Sequence, residues 1–221
     1  MRQDVRQALA ELAREMGPGV EELSFALELE EGAIRLTPES LELSVGVSQD
    51  RVTFAGQWRD VRVAWSFTPR EGGLCVRLSA FGDHPLRCRA MESLSLRYRR
   101  EDADLGSWRV PTRGRAITRA GMPRLNELGE SDTPGSLMRG LFADSRTPGL
   151  FAGTLLPQRH VHDYLLRPEG SGAARLTCTT RFLEGISRQL ELYSETTWVC
   201  ATRAAREAIE THAAFVPAMV A

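Results

Sequence analysis

Between residues 20 and 200, on either side of a break at 99–135, runs of apolar side chains recur at every second position, and short turn signals interrupt them at close intervals. A period of two places neighbours on opposite faces of an extended strand, so each run can bury one face and needs a sheet to bury it against. The sets are explicit: Leu23, Phe25, Leu27 and Leu29; Leu41, Leu43, Val45 and Val47; Val61, Val63, Trp65 and Phe67. Between them Glu31-Gly32, Gln49-Asp50 and Glu71-Gly72-Gly73 read as hairpin turns. Further strands are predicted around residues 86–90 and 94–98, then in LMRGLFADS, LFAGTLL, QRHVHDYLL, ARLTCTTRF and ISRQLELYSE, with Thr147-Pro148-Gly149 as a turn. About a dozen short strands without alternating helices predict a mainly β fold, a large antiparallel β-sandwich, and not a parallel α/β sheet.

Both ends depart from this period. Near the start, Val5, Leu9, Leu12, Ala13 and Met16 recur at helical spacing until Gly17-Pro18-Gly19. The last stretch, ETTWVCATRAAREAIETHAAFVPAMVA, turns helical after Thr202, the candidate N-cap. Its apolar stripe is Ala201, Ala205, Ala208, Ile209, Phe215 and Val216, and Pro217 limits its run. The expected organisation is an N-terminal helix at 1–19, a sandwich at 20–200 and a C-terminal helix or linker at 201–221. Residues 99–135, rich in proline and glycine, read as a long loop with only a hint of strand near Trp108. Its arginines, Arg109, Arg113, Arg115, Arg119 and Arg124, can meet an anion, but a solvated loop with Glu127 and Glu130 as local partners is preferred.

Composition narrows the partners. The 28 basic residues are all arginine and face 29 acidic ones, a net charge of −1 that argues against nucleic acid as the main partner. No apolar run is long enough for a membrane helix, and the charged N-terminus does not read as a signal peptide, so a cytoplasmic location is expected. Cys75, Cys88, Cys178 and Cys200 lie far apart in apolar runs without metal-ligand spacing and read as buried reduced thiols.

Few residues point to chemistry. On a strand, His160 and His162 share one face and could supply two ligands to a metal, with a carboxylate from elsewhere as the third. A structural role, on a solvent face or satisfied by hydrogen bonds, is preferred, because two ligands do not make a site. No nucleophile elbow, P-loop or dinucleotide fingerprint occurs, and no cofactor is expected. Asp144 and Asp163 follow predicted strands, but nothing brings them together as a glycosidase pair. Among the tryptophans, Trp65 reads as core, Trp58 and Trp198 sit at strand ends, and Trp108 is the best candidate for an exposed sugar platform.

From residue 137 onward, LFADSRTPGLFAGTL, ARLTCTTRFLEGISRQLELYSE and ATRAAREAIETHAAFVPAMVA follow one another in an order that resembles the N-terminal β-supersandwich domain of glycoside hydrolase family 36, the α-galactosidases and their raffinose-synthase relatives. The resemblance implies a galactose mutarotase-like supersandwich whose last helix leads into a catalytic (β/α)₈ barrel. In that family the nucleophile and the acid belong to the barrel, so the resemblance implies a non-catalytic part that braces it and shapes oligomer contacts. Family members often carry a tryptophan in mid-sandwich that contributes to a neighbouring subunit's sugar site; PRLNELGESDTPGS has none, and no binding residue is carried over. The alternatives are a free-standing carbohydrate-binding sandwich that takes an oligosaccharide, and a metal-dependent enzyme built on His160 and His162.

Overall fold

The computed structural model describes residues 2–29, 34–99, 106–111, 131–134, 136–142, 149–155, 161–169, 173–182, 187–202 and 205–215. Helix α1 (Gln3–Met16) opens the chain and buries the expected stripe, Val5, Leu9, Leu12, Ala13 and Met16. Strands β1 (Val20–Leu29), β2 (Ile34–Leu36), β3 (Ser44–Ser48), β4 (Arg51–Trp58), β5 (Val61–Arg70) and β6 (Gly73–Arg99) follow. After these come β7 (Gly106–Pro111), β8 (Ser131–Pro134), β9 (Ser136–Phe142), β10 (Gly149–Thr154), β11 (Val161–Pro168), β12 (Ala173–Arg181), β13 (Ser187–Tyr193), β14 (Thr197–Thr202) and helix α2 (Ala205–Phe215).

All pairings are antiparallel, and β6 organises them. Its 27 residues pass through both layers of the sandwich. The first part, residues 73–82, pairs with β5, which leads through β4 to the edge strand β3. The second part, residues 88–98, pairs with β1, which leads to β2. Along its other edge β6 is met in turn by β12, β13 and β14, so residues 173–199 run antiparallel beside 74–99. From β14 the first layer continues through β10 and β9 to β7; from β12 the second continues through β11 to β8.

The bend of β6 lies at Asp83-His84-Pro85, where the chain is exposed. Opposite it, β13 jumps register, with Gln189 facing Leu86 and Glu191 facing Phe81. Pro85 has no N–H to give a ladder, which suits a bulge. The β5–β6 hairpin turns through Glu71 and Gly72, both at positive φ (45° and 72°), the left-handed pair a two-residue type I′ turn requires.

The layers close on an aromatic cluster. Trp65 of β5 is fully buried, 5.1 Å from Phe25 of β1 and 4.6 Å from Phe67, and its indole N–H donates to the Ser93 carbonyl at 2.8 Å. Such contacts combine large apolar burial with a satisfied polar edge, so the two layers are held in one register. The alternation therefore works as read in β1 and β5. It fails at Val47, which is 75% exposed, because β3 is the outer edge of its layer; Leu41 and Leu43 are buried and Val45 packs partly against the core. The long loop expected at 99–135 also needs correction: β7 and β8 lie inside it. Thr202 ends β14 and α2 starts at Ala205, so the predicted cap position is strand.

Candidate functional site

The first layer has an inner and an outer face, and period-two geometry sorts its residues between them. Val63, Trp65 and Phe67 point inward; Ala64, Ser66, Thr68 and Arg70 point outward. Cross-strand register then assembles rows on the outer face. Thr53, Ser66 and Arg77 form one row across β4, β5 and β6. Ala64, Ser79 and Tyr193 form the next, across β5, β6 and β13. Small residues in the middle of these rows leave a groove of about 730 Å³, rimmed by Arg51, Arg70, Phe81 and the segment Ser194–Thr196.

That rim segment is pinned from below. The Ser194 hydroxyl accepts from the Leu78 N–H at 2.9 Å, the Thr180 hydroxyl accepts from the Glu195 N–H at 2.9 Å, and the Thr196 carbonyl accepts from the Leu155 N–H at 2.9 Å. Glu195 is buried at the groove's edge. The Arg77 guanidinium lies over the Tyr193 ring at 4.4 Å, and Phe81 meets the same ring edge-on at 5.8 Å. The Tyr193 hydroxyl donates to Glu191 at 2.8 Å. Beneath Arg70, burial pushes the Cys75 thiol up, and the guanidinium opposes that shift only in part. All four cysteines are free and buried.

Chemically the groove offers cations and hydroxyls. Its described lining holds one carboxylate, Glu195, and no histidine. Two carboxyl groups flanking a bond, the usual requirement for glycoside hydrolysis, are not brought together there.

The described residues among those singled out for chemistry in the sequence do not line this groove. His160 and Asp144 lie outside the described residues. His162 is not on a solvent face: it is 3% exposed, packed against Tyr164 at 4.8 Å, with Nδ1 3.4 Å from the Thr180 hydroxyl. Burial pushes its pKa down to about 3, so the ring is neutral. Among the described residues no three His, Cys, Asp or Glu side chains are grouped to hold a metal. Asp163 is buried and accepts from Arg181. Trp108 stands in β7 opposite Gly140 of β9, and its side chain lies outside the described residues. Trp65 and Trp198 are buried, and Trp58 is half-buried beneath Arg59 at 4.3 Å.

Sequence reading missed His212. Helix α2 packs back against β10 and β14, and His212 with Ala208, four residues apart, makes the contact. The ring sits over Gly153, where any Cβ would collide with it, and its Nε2 is 2.9 Å from the Thr154 carbonyl. A histidine on a predicted apolar stripe was the available signal. The side chains of Ile209, Phe215 and Val216 lie outside the described residues.

Compared by sequence, the chain matches no protein-family model and no curated protein. Compared by fold, it is similar to the glycoside hydrolase family 36 α-galactosidase AgaB from Geobacillus stearothermophilus, with a TM-score of 0.52 and 9% identity over 81% of this chain. It is also similar to the galactosidase domain of the α-galactosidase-sucrose kinase AgaSK, with a TM-score of 0.53 and 8% identity over 85% of this chain. The fold is a large antiparallel β-sandwich of the galactose mutarotase-like kind. The chain spans 30% of AgaB and 31% of the AgaSK domain, which fits one domain of those longer chains. A protein from Escherichia coli K12 assigned as an aldose 1-epimerase is matched at a TM-score of 0.51 and 10% identity, over 72% of this chain and 68% of that one. No helix among the described residues is long and apolar enough to cross a membrane.

Proposed function

We propose that this chain serves as the non-catalytic N-terminal sandwich domain of an α-galactosidase-like glycoside hydrolase, bracing a (β/α)₈ barrel and shaping oligomer contacts. The observation that carries the reading is the match in fold to about three-tenths of each α-galactosidase chain, by a sandwich whose described outer groove holds a single carboxylate. A bracing domain needs rigidity more than reactive groups, and the shared strand β6 supplies it by tying both layers together. The four free buried thiols support the expected cytoplasmic location.

The pure chain incubated with a nitrophenyl α-galactoside is expected to release no nitrophenol above the uncatalysed rate. Turnover lost with a Glu195→Gln substitution would overturn the reading. A second reading, a free-standing carbohydrate-binding sandwich, is favoured by one observation: the epimerase match covers most of a protein built on this same fold. It predicts saturable binding of a saccharide by the chain alone.

A further inference from the structure

We infer that the groove on the outer face of the first layer is a binding site for a small hydroxylated anion, a sugar acid or a sugar phosphate. This stands apart from the α-galactosidase reading and needs only the groove. In a chain of net charge −1, three arginines gather there against one carboxylate. Several arginines elsewhere on the sandwich are paired with acids: Arg35 with Glu28 and Glu92, Arg97 with Glu21 and Glu169, Arg175 with Glu22 and Glu169. Arg51 and Arg77 have no acidic partner among the described residues.

Arg77 is also held in place. Its guanidinium lies over the Tyr193 ring at 4.4 Å, and its N–H groups can form the two parallel bonds a carboxylate or phosphate accepts. Its own row supplies the hydroxyls of Thr53 and Ser66 and the next row that of Ser79, which can donate to or accept from the hydroxyls of a sugar ring. A volume of about 730 Å³ falls within the range of small-ligand pockets.

Calorimetric titration of the whole chain with glucuronate, glucose 6-phosphate, inorganic phosphate and glucose tests this. Saturable binding of glucuronate or glucose 6-phosphate is expected, at least about tenfold tighter than glucose or inorganic phosphate, and weakening as salt is added. Whichever sugar binds identifies the anion as carboxylate or phosphate. Arg51→Gln and Arg77→Gln should each weaken it by about tenfold, the worth of one charge-assisted contact, while Arg14→Gln on the exposed face of α1 should not. Both groove arginines are exposed, so circular dichroism of the two variants should match the parent. Absence of binding by either sugar anion, equal binding of glucose or inorganic phosphate, or unchanged affinity in both groove variants overturns the proposal.

Discussion

Individual side chains carry the polar strain of this sandwich. His162 is buried between the layers and held neutral, because solvent cannot stabilise its charged form there. Its folded pKa, about 3, lies below the ordinary value near 6.5, so the unfolded chain takes up the proton first as pH falls. Stability is therefore full above about pH 6.5 and lost as pH drops toward the folded value, by up to about 1.4 kcal/mol per pH unit for this proton. Burial lowers the His212 pKa as well, in part offset by its backbone carbonyl partners, and adds to the same trend. Urea unfolding at about pH 7.5, 6 and 5 should show the decline, and His162→Leu should flatten it. An identical slope in the variant would remove His162 from the account. The sequence marked His162 only through its neighbour His160; alternation alone does not say which face of β11 is inner, and that depends on partners far along the chain.

At the scale of elements, α1, β1 and β5 were legible because each presents one uninterrupted apolar face. β7 was legible only as a hint near Trp108 and β8 not at all, since proline and glycine around them mask the period and their partners β9 and β11 stabilise them as strands. The bent strand β6 was read as separate strands, because a bulge at Asp83-His84-Pro85 resembles a turn until register is known. Helix α2 reads in the sequence as a helix or linker with an alanine-rich stripe, and its contact with the sandwich is made by Ala208 and His212 over Gly153. A methyl group at Gly153 would meet the His212 ring and Phe151. Gly153→Ala should cost about 1–3 kcal/mol, the usual penalty for overpacking, and speed hydrogen exchange of the α2 amides relative to those of β5. Unchanged α2 exchange in that variant would show that the helix is anchored by other contacts.

Over the whole molecule, the fold followed from periodicity, whereas the groove did not. Thr53, Ser66, Arg77 and Tyr193 are scattered along the chain and become neighbours only through the register of four strands. Ser and Arg on the polar face of a strand look like ordinary solvated surface in a sequence. What distinguishes them is concavity and unpaired charge, both properties of the assembled layer. The binding proposal places a sugar anion on this outer face, among Thr53, Ser66, Arg77 and Ser79. Amide NMR spectra of the chain titrated with glucuronate and with glucose 6-phosphate test that claim most directly. Saturable shifts confined to Thr53, Ser66, Arg77, Ser79, Tyr193 and their strand neighbours are expected for at least one of the two. Shifts centred instead on His162 and β11, or no shifts with either compound, would contradict it.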